Sequence, residues 1–134
     1  MATIKTFENI EAWKLARLMC NKIGAFIDEE RFKKNYRLID QVNGSSGSIM
    51  DNIAEGFERG TRKEFIQFSG YAKGSCGEIR SQLYRALDRR YITEAEFDEL
   101  YLMAINISRM IQKFIEYLLK SEIEGVRKHS KPKL

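Results

Sequence analysis

Histidine and proline each occur once in this 134-residue chain, as His129 and Pro132. A single imidazole near the C-terminus leaves the body of the chain without the partners that most metal sites and Ser–His or Cys–His pairs require. With no proline before residue 132, the strongest helix breaker is missing from nearly the whole sequence. The two cysteines, Cys20 and Cys76, are too few for a zinc ribbon or a disulfide framework, and both are expected to be reduced. The longest apolar run is Tyr101-Leu102-Met103-Ala104-Ile105, far short of the roughly 20 residues that span a bilayer. No N-terminal stretch joins a charged start to an apolar run as a signal peptide does. A cytoplasmic protein without a membrane partner is therefore expected. Neither charge sign dominates: 23 basic and 19 acidic residues leave +4, which is compatible with nucleic acid without demanding it. What is present is 43% apolar and 31% charged residues, the mix of one soluble domain with a core.

Helix signals fill that domain. Thr93 and Glu96 form a capping box, in which each side chain satisfies a backbone N–H left free by the first turn. Phe97, Tyr101, Ala104, Ser108, Ile111, Ile115 and Leu118 follow at alternating spacings of four and three, with Leu100, Ile107 and Phe114 beside them. This predicts a helix over about 94–121. Thr61 and Glu64 form a second box ahead of Phe65, Phe68, Ala72, Cys76, Ile79, Leu83 and Ala86, predicting a helix over about 62–89. Trp13, Ala16, Cys20, Ile23 and Ile27 predict a first helix over about 10–28, with Asn9 as its N-cap. Phe32, Tyr36, Ile39 and Val42 carry helical spacing into Asn43-Gly44-Ser45-Ser46-Gly47-Ser48, and Ile49 to Glu55 resumes it. A local view of that middle stretch gives a loop. A continuous helix over about 31–58 explains it better if small residues meet small residues. In an antiparallel pair Gly44 would face Gly74, Ser48 would face Gly70 and Gln41 would face Gly77. Close packing would then offset the ~1 kcal/mol that each helix-interior glycine costs. The short connections make sequential helices antiparallel neighbours. The expected fold is all-α, an antiparallel up-down-up-down four-helix bundle over residues 1–124. A mobile basic tail is expected over 125–134.

The polar residues offer few sites. Arg31, Lys33, Lys34 and Arg37 open the second helix, and Arg80, Arg85, Arg89 and Arg90 close the third. Antiparallel pairing brings both groups to one end of the bundle. They are candidates for phosphate contact, or else a solvated surface shared with Asp28, Glu29, Glu30 and Asp88. Asn52 and Glu55, three apart, share a helix face next to Gly56. They can serve a partner, or bond a neighbouring backbone and an arginine. Cys20 and Cys76 fit core positions. No Glu-x-x-His pair of a carboxylate-bridged metal site occurs, so no metal, cofactor or catalytic residue is assigned.

The stretch Asn52-Ile53-Ala54-Glu55-Gly56-Phe57-Glu58-Arg59 resembles the signature of a bacterial family, the four-helix-bundle proteins also called 23S rRNA-intervening sequence proteins. Phe7 and Trp13 resemble that family's N-terminal aromatic pair. Gln41, Ser48 and Ile49, then Lys63 to Phe68 and Ala72 to Glu78, match it further, so the likeness covers about residues 7–120. It implies a four-helix bundle, a continuous second helix through Gly44, and a homopentameric ring like that of the related accessory protein of diversity-generating retroelements. Those relatives engage nucleic acid and a reverse transcriptase through a basic surface. The family name records where its genes were found and implies no activity. Where many relatives carry Gln-Ile-Arg-Arg, this chain has Gln41-Val42-Asn43-Gly44, two guanidinium groups fewer.

The function expected is a non-enzymatic, oligomeric binding or scaffold module. Its partners would be copies of itself, RNA or an RNA–protein complex, and a protein such as a reverse transcriptase. The alternative is a structural homo-oligomer or protein scaffold with no nucleic-acid role. Leu100, Met103, Ile107, Met110 and Phe114 exceed what one seam needs and suggest a self-interface. No base-reading motif occurs, so RNA recognition would act through backbone and shape.

Overall fold

The computed structural model describes residues 4–124, with side chains placed as far as Ser121. A 3-10 turn, Phe7–Asn9, leads into four helices: α1 (Glu11–Asp28), α2 (Tyr36–Glu58), α3 (Arg62–Asp88) and α4 (Glu94–Glu124). There is no strand among the described residues. Helix α2 packs on α3, α3 on α4, and α1 on both α2 and α4, so each helix has two helical neighbours. Met19 and Ile23 of α1, Leu38 and Ile49 of α2, Ile79 of α3, and Leu100, Ile107 and Ile111 of α4 form the dry centre. Each such side chain contributes about 1.5–3 kcal/mol by leaving water. Residues 125–134, expected to be a basic tail, lie outside the described residues.

Both threonine N-caps form, and the Thr93–Glu96 box is reciprocal, whereas the Glu64 carboxylate accepts from the Thr61 hydroxyl at 2.9 Å and not from its backbone N–H. The Thr61 hydroxyl accepts from the Glu64 N–H at 3.2 Å. Thr93 accepts from the Glu96 N–H at 3.1 Å, and the Thr93 N–H donates to Glu96 Oε1 at 2.8 Å. Phe7 and Trp13 meet edge to face, ring centroids 5.2 Å apart, and close the entry to α1. Asn9 belongs to the 3-10 turn and does not cap α1, whose N-cap is Ile10. At its far end α4 runs three residues beyond the expected Ser121.

Helix α2 runs without a break through Asn43-Gly44-Ser45-Ser46-Gly47-Ser48, as expected, but it begins at Tyr36 and not at Arg31. Asn35 is its N-cap and accepts from the Leu38 N–H at 3.2 Å. Phe32 lies in the preceding turn yet is 3% exposed, packed edge to face on Tyr91. Its burial from a turn imitates helical spacing.

The expected glycine seam is also corrected. Cross-helix contacts pair Ser48 with Ser75 and Gln41 with Arg85, and place Gly56 against Phe65 and Phe68. They descend α2 as they ascend α3, in a register shifted from the one that matched Gly44 to Gly74. A Cβ added at Gly44, Gly47, Gly70, Gly74 or Gly77 would meet nothing within 4 Å. The small residues of these helices that lie inside are mainly serines and alanines: Ser45 and Ser46 on α2, Ser69, Ala72, Ser75 and Ala86 on α3. Ser46 satisfies its hydroxyl on the Val42 carbonyl at 2.7 Å. Gly56 alone of the helix glycines is closely approached, since an added Cβ would sit 2.7 Å from the Phe68 Cβ.

Leu100, Met103 and Ile107, expected to be surplus, are buried in the chain's own core, and Phe114 packs partly against it, 4.9 Å from Phe65 by centroids. Met110 alone of the expected set is exposed, and Leu102, Tyr117 and Leu119 join it as the exposed large apolar side chains described on α4.

Candidate nucleic-acid interface

The α1–α2 and α3–α4 turns contribute basic residues to a common cleft at one end of the bundle. Helix α1 ends in a Schellman closure: the Arg31 N–H donates to the Phe26 carbonyl and the Glu30 N–H to that of Ile27, both at 3.0 Å. Helix α3 ends the same way, with the Tyr91 N–H on Ala86 and the Arg90 N–H on Leu87, both at 2.9 Å. Such a closure needs a left-handed residue, usually glycine. Here the residues are Glu30, φ 58°, and Arg90, φ 61°. Lys33 and Lys34 are also left-handed, at φ 50° and 67°. Each costs about 1–2 kcal/mol relative to glycine.

The eight basic candidates divide by their partners. Arg31 is consumed within the fold. Its guanidinium makes a bidentate pair with Glu96, with Nη1 at 3.1 Å from Oε2, and lies over the Phe26 ring at 4.8 Å. The hydrogen bond to Arg31, then the backbone of Thr93, hold the Glu96 carboxyl below its ordinary value. Arg85 donates to Gln41 Oε1 at 2.8 Å across α2 and α3. Arg80 is half-buried two turns further from the end, one turn from Cys76. The remaining five, Lys33, Lys34, Arg37, Arg89 and Arg90, are exposed, and among the described residues none lies within 4 Å of a carboxylate.

Two uncharged residues of this end, Asn35 and Tyr91, were missed in the sequence reading. The Asn35 side-chain amide donates to the Tyr91 hydroxyl at 3.3 Å. That bond, helped by the positive charges of Arg89 and Lys33, lowers the Tyr91 phenol from its ordinary value, against the opposing effect of desolvation. Asn35, Leu38, Arg85, Asp88 and Arg89 line a recess of about 270 Å³ beside it. Asparagine just ahead of an apolar helix was the available signal, because it caps.

The signature residues lie at the opposite end, towards the α2–α3 turn. The Asn52 amide donates to the Ser48 carbonyl at 2.8 Å and its hydroxyl at 2.9 Å, and Ser48 meets the Ser75 hydroxyl at 3.2 Å. Glu55 pairs with Arg59 at 2.7 Å. Arg59 also reaches Glu64 at 3.3 Å and lies over the Phe68 ring at 4.9 Å. Gly56 lets the Phe68 Cβ and the Phe65 ring approach. Together they tie α2 to α3.

Reactive chemistry finds little foothold. Burial pushes the Cys76 thiol up to about 12, so it stays protonated and unreactive. Burial likewise raises Cys20. Among the described residues no group of three or more His, Cys, Asp or Glu side chains could hold a metal ion. No described helix is long and apolar enough to cross a membrane.

Fold and site together define an all-helical bundle with a basic end and no catalytic constellation among the described residues. The family profile of the 23S rRNA-intervening sequence protein matches residues 8–113, and the chain belongs to that family. A crystal structure of a protein of unknown function from the S23 ribosomal protein family of Bacteroides thetaiotaomicron has the same fold. The two share 20% identity with a TM-score of 0.71, over 78% of this chain and 98% of that one. No curated protein sequence matches this chain.

Proposed function

We propose that this chain is a non-enzymatic binding module that holds RNA by its phosphate backbone at the basic end of the bundle. The observation that carries this is the unpaired set Lys33, Lys34, Arg37, Arg89 and Arg90, kept exposed in and beside two turns while Arg31 among them, and Arg59 at the opposite end, are spent on carboxylates. Cations without partners are the groups that phosphates neutralise. With no base-reading motif, recognition rests on backbone and shape. The test is a titration of unrelated RNAs at two salt concentrations. Affinity should fall steeply with salt, and replacing Arg37, Arg89 and Arg90 by Gln should weaken every RNA while leaving the helices intact. Binding indifferent to salt and to those substitutions would remove the RNA role.

The second reading is a scaffold that meets copies of itself, in a ring of five, or a protein partner such as a reverse transcriptase. Exposed Leu18, Leu102 and Leu119, each close to half accessible in one chain, favour it. Light scattering at micromolar concentration should then give a mass several times 15.7 kDa. A clean monomer would rule out the ring.

A further inference from the structure

We propose that the cleft between the α1–α2 and α3–α4 turns receives one unstacked guanine of the bound RNA, a proposal that rests on the RNA function proposed above. The cleft holds about 690 Å³, ample for one nucleotide. Leu87 and Ile92 give it apolar walls on which a base can lie. Glu30 and Glu94 supply carboxylates, and Lys33 and Arg90 supply cations. Among the described residues none of these four charges has an ion-pair partner within 4 Å. Among the described residues four non-glycines are left-handed, and three of them, Glu30, Lys33 and Arg90, line this one cavity. Strain gathered at a cavity, where glycine would relieve it, points to side chains kept for a ligand.

The chemistry of the lining selects the base. Lys33 and Arg90 suit a phosphate. Ionised Glu30 and Glu94 can only accept hydrogen bonds, and each has two oxygens. Guanine is the RNA base whose pairing edge sets two donors, N1–H and N2–H, side by side to match one carboxylate. Uracil places its single N–H between two carbonyls, which a carboxylate repels. Adenine and cytosine set their amino group beside a ring acceptor. The backbone contacts hold any RNA, and the cleft adds a preference at one unpaired position.

The experiment is fluorescence anisotropy at low salt with two labelled single-stranded RNAs, one all uridine and one with a single central guanosine. Wild type should bind the guanosine oligomer about tenfold more tightly, the discrimination of one bidentate pair. Glu30→Gly keeps the left-handed turn and Glu94→Gln keeps the size of the side chain. Since one carboxylate takes the base edge, at least one of the two should bring the two affinities close together, and neither should weaken the all-uridine complex. Equal affinities in wild type would overturn the guanine cleft and leave the RNA function standing. So would a preference that survives both substitutions. Failure of wild type to bind either oligomer would overturn the RNA function and the cleft with it.

Discussion

Three helices of this bundle end on a left-handed residue, and the two ends of the molecule fill that position differently. At the α2–α3 turn it is Gly60, φ 84°, where the conformation carries no steric cost. At the other end it is Glu30 after α1 and Arg90 after α3. The α2–α3 turn also spends its charges on itself: Arg59 joins Glu55 and Glu64, and Thr61 caps α3. The opposite end spends Arg31 on Glu96 and Arg85 on Gln41, and leaves five cations with no carboxylate within 4 Å among the described residues. One turn is built for stability. The other retains charged side chains where glycine would be steadier, which is the pattern expected of a surface kept for a ligand.

The sharpest way to break the comparison is at the stable end. Gly56→Leu must push back α3 at the Phe68 Cβ and the Phe65 ring and should cost about 3 kcal/mol, read as a lowered thermal midpoint. An unchanged melt would mean that the α2–α3 contact is loose. Next in size is the strain itself. Arg90→Gly and Lys34→Gly should each raise stability by about 1 kcal/mol in urea titrations, whereas Gly60→Ala should lower it by a similar amount. Losses from both glycine variants would show that the charged residues carry no backbone cost.

Smaller still is the effect on the open helix faces. Gly74→Ala should stabilise α3 by about 0.5–1 kcal/mol, because the new methyl meets open space and helix propensity alone decides. A loss in the isolated chain would place an unseen neighbour on that face. The smallest effect is the pH response of Glu96. Its carboxyl titrates below its ordinary value when folded, so its contribution is complete above about pH 5 and disappears as pH falls through the lowered folded value. The stability gap between wild type and Glu96→Gln, followed by urea unfolding, should therefore narrow from about pH 6 to about pH 3.

Much of the fold was legible because caps and apolar spacing act locally. Thr61–Glu64 and Thr93–Glu96 announced two helices; both threonines cap as their spacing requires, and the second box closes from both sides. The start of α2 was misplaced by five residues because Phe32 reaches the core from a turn, so periodicity could not tell it from a helical neighbour. The glycine seam was misread because it depends on register. A shift of little more than one turn moved Gly44 and Gly74 outside and gave the contact to Ser48 and Ser75. At the basic end the residue types were visible but not their partners. Nothing in the sequence distinguished Arg31, bound to Glu96, from Arg90, which is bound to no carboxylate, and no pattern marks a lysine as left-handed.

The central claim is that the basic end accepts backbone strain in exchange for RNA contact. Arg90→Gly tests it most directly when melting and RNA titration are measured on the same preparation at low salt. The predicted result is a higher thermal midpoint together with weaker binding to every RNA tried. A variant that melts higher and binds RNA as tightly as wild type would contradict the claim.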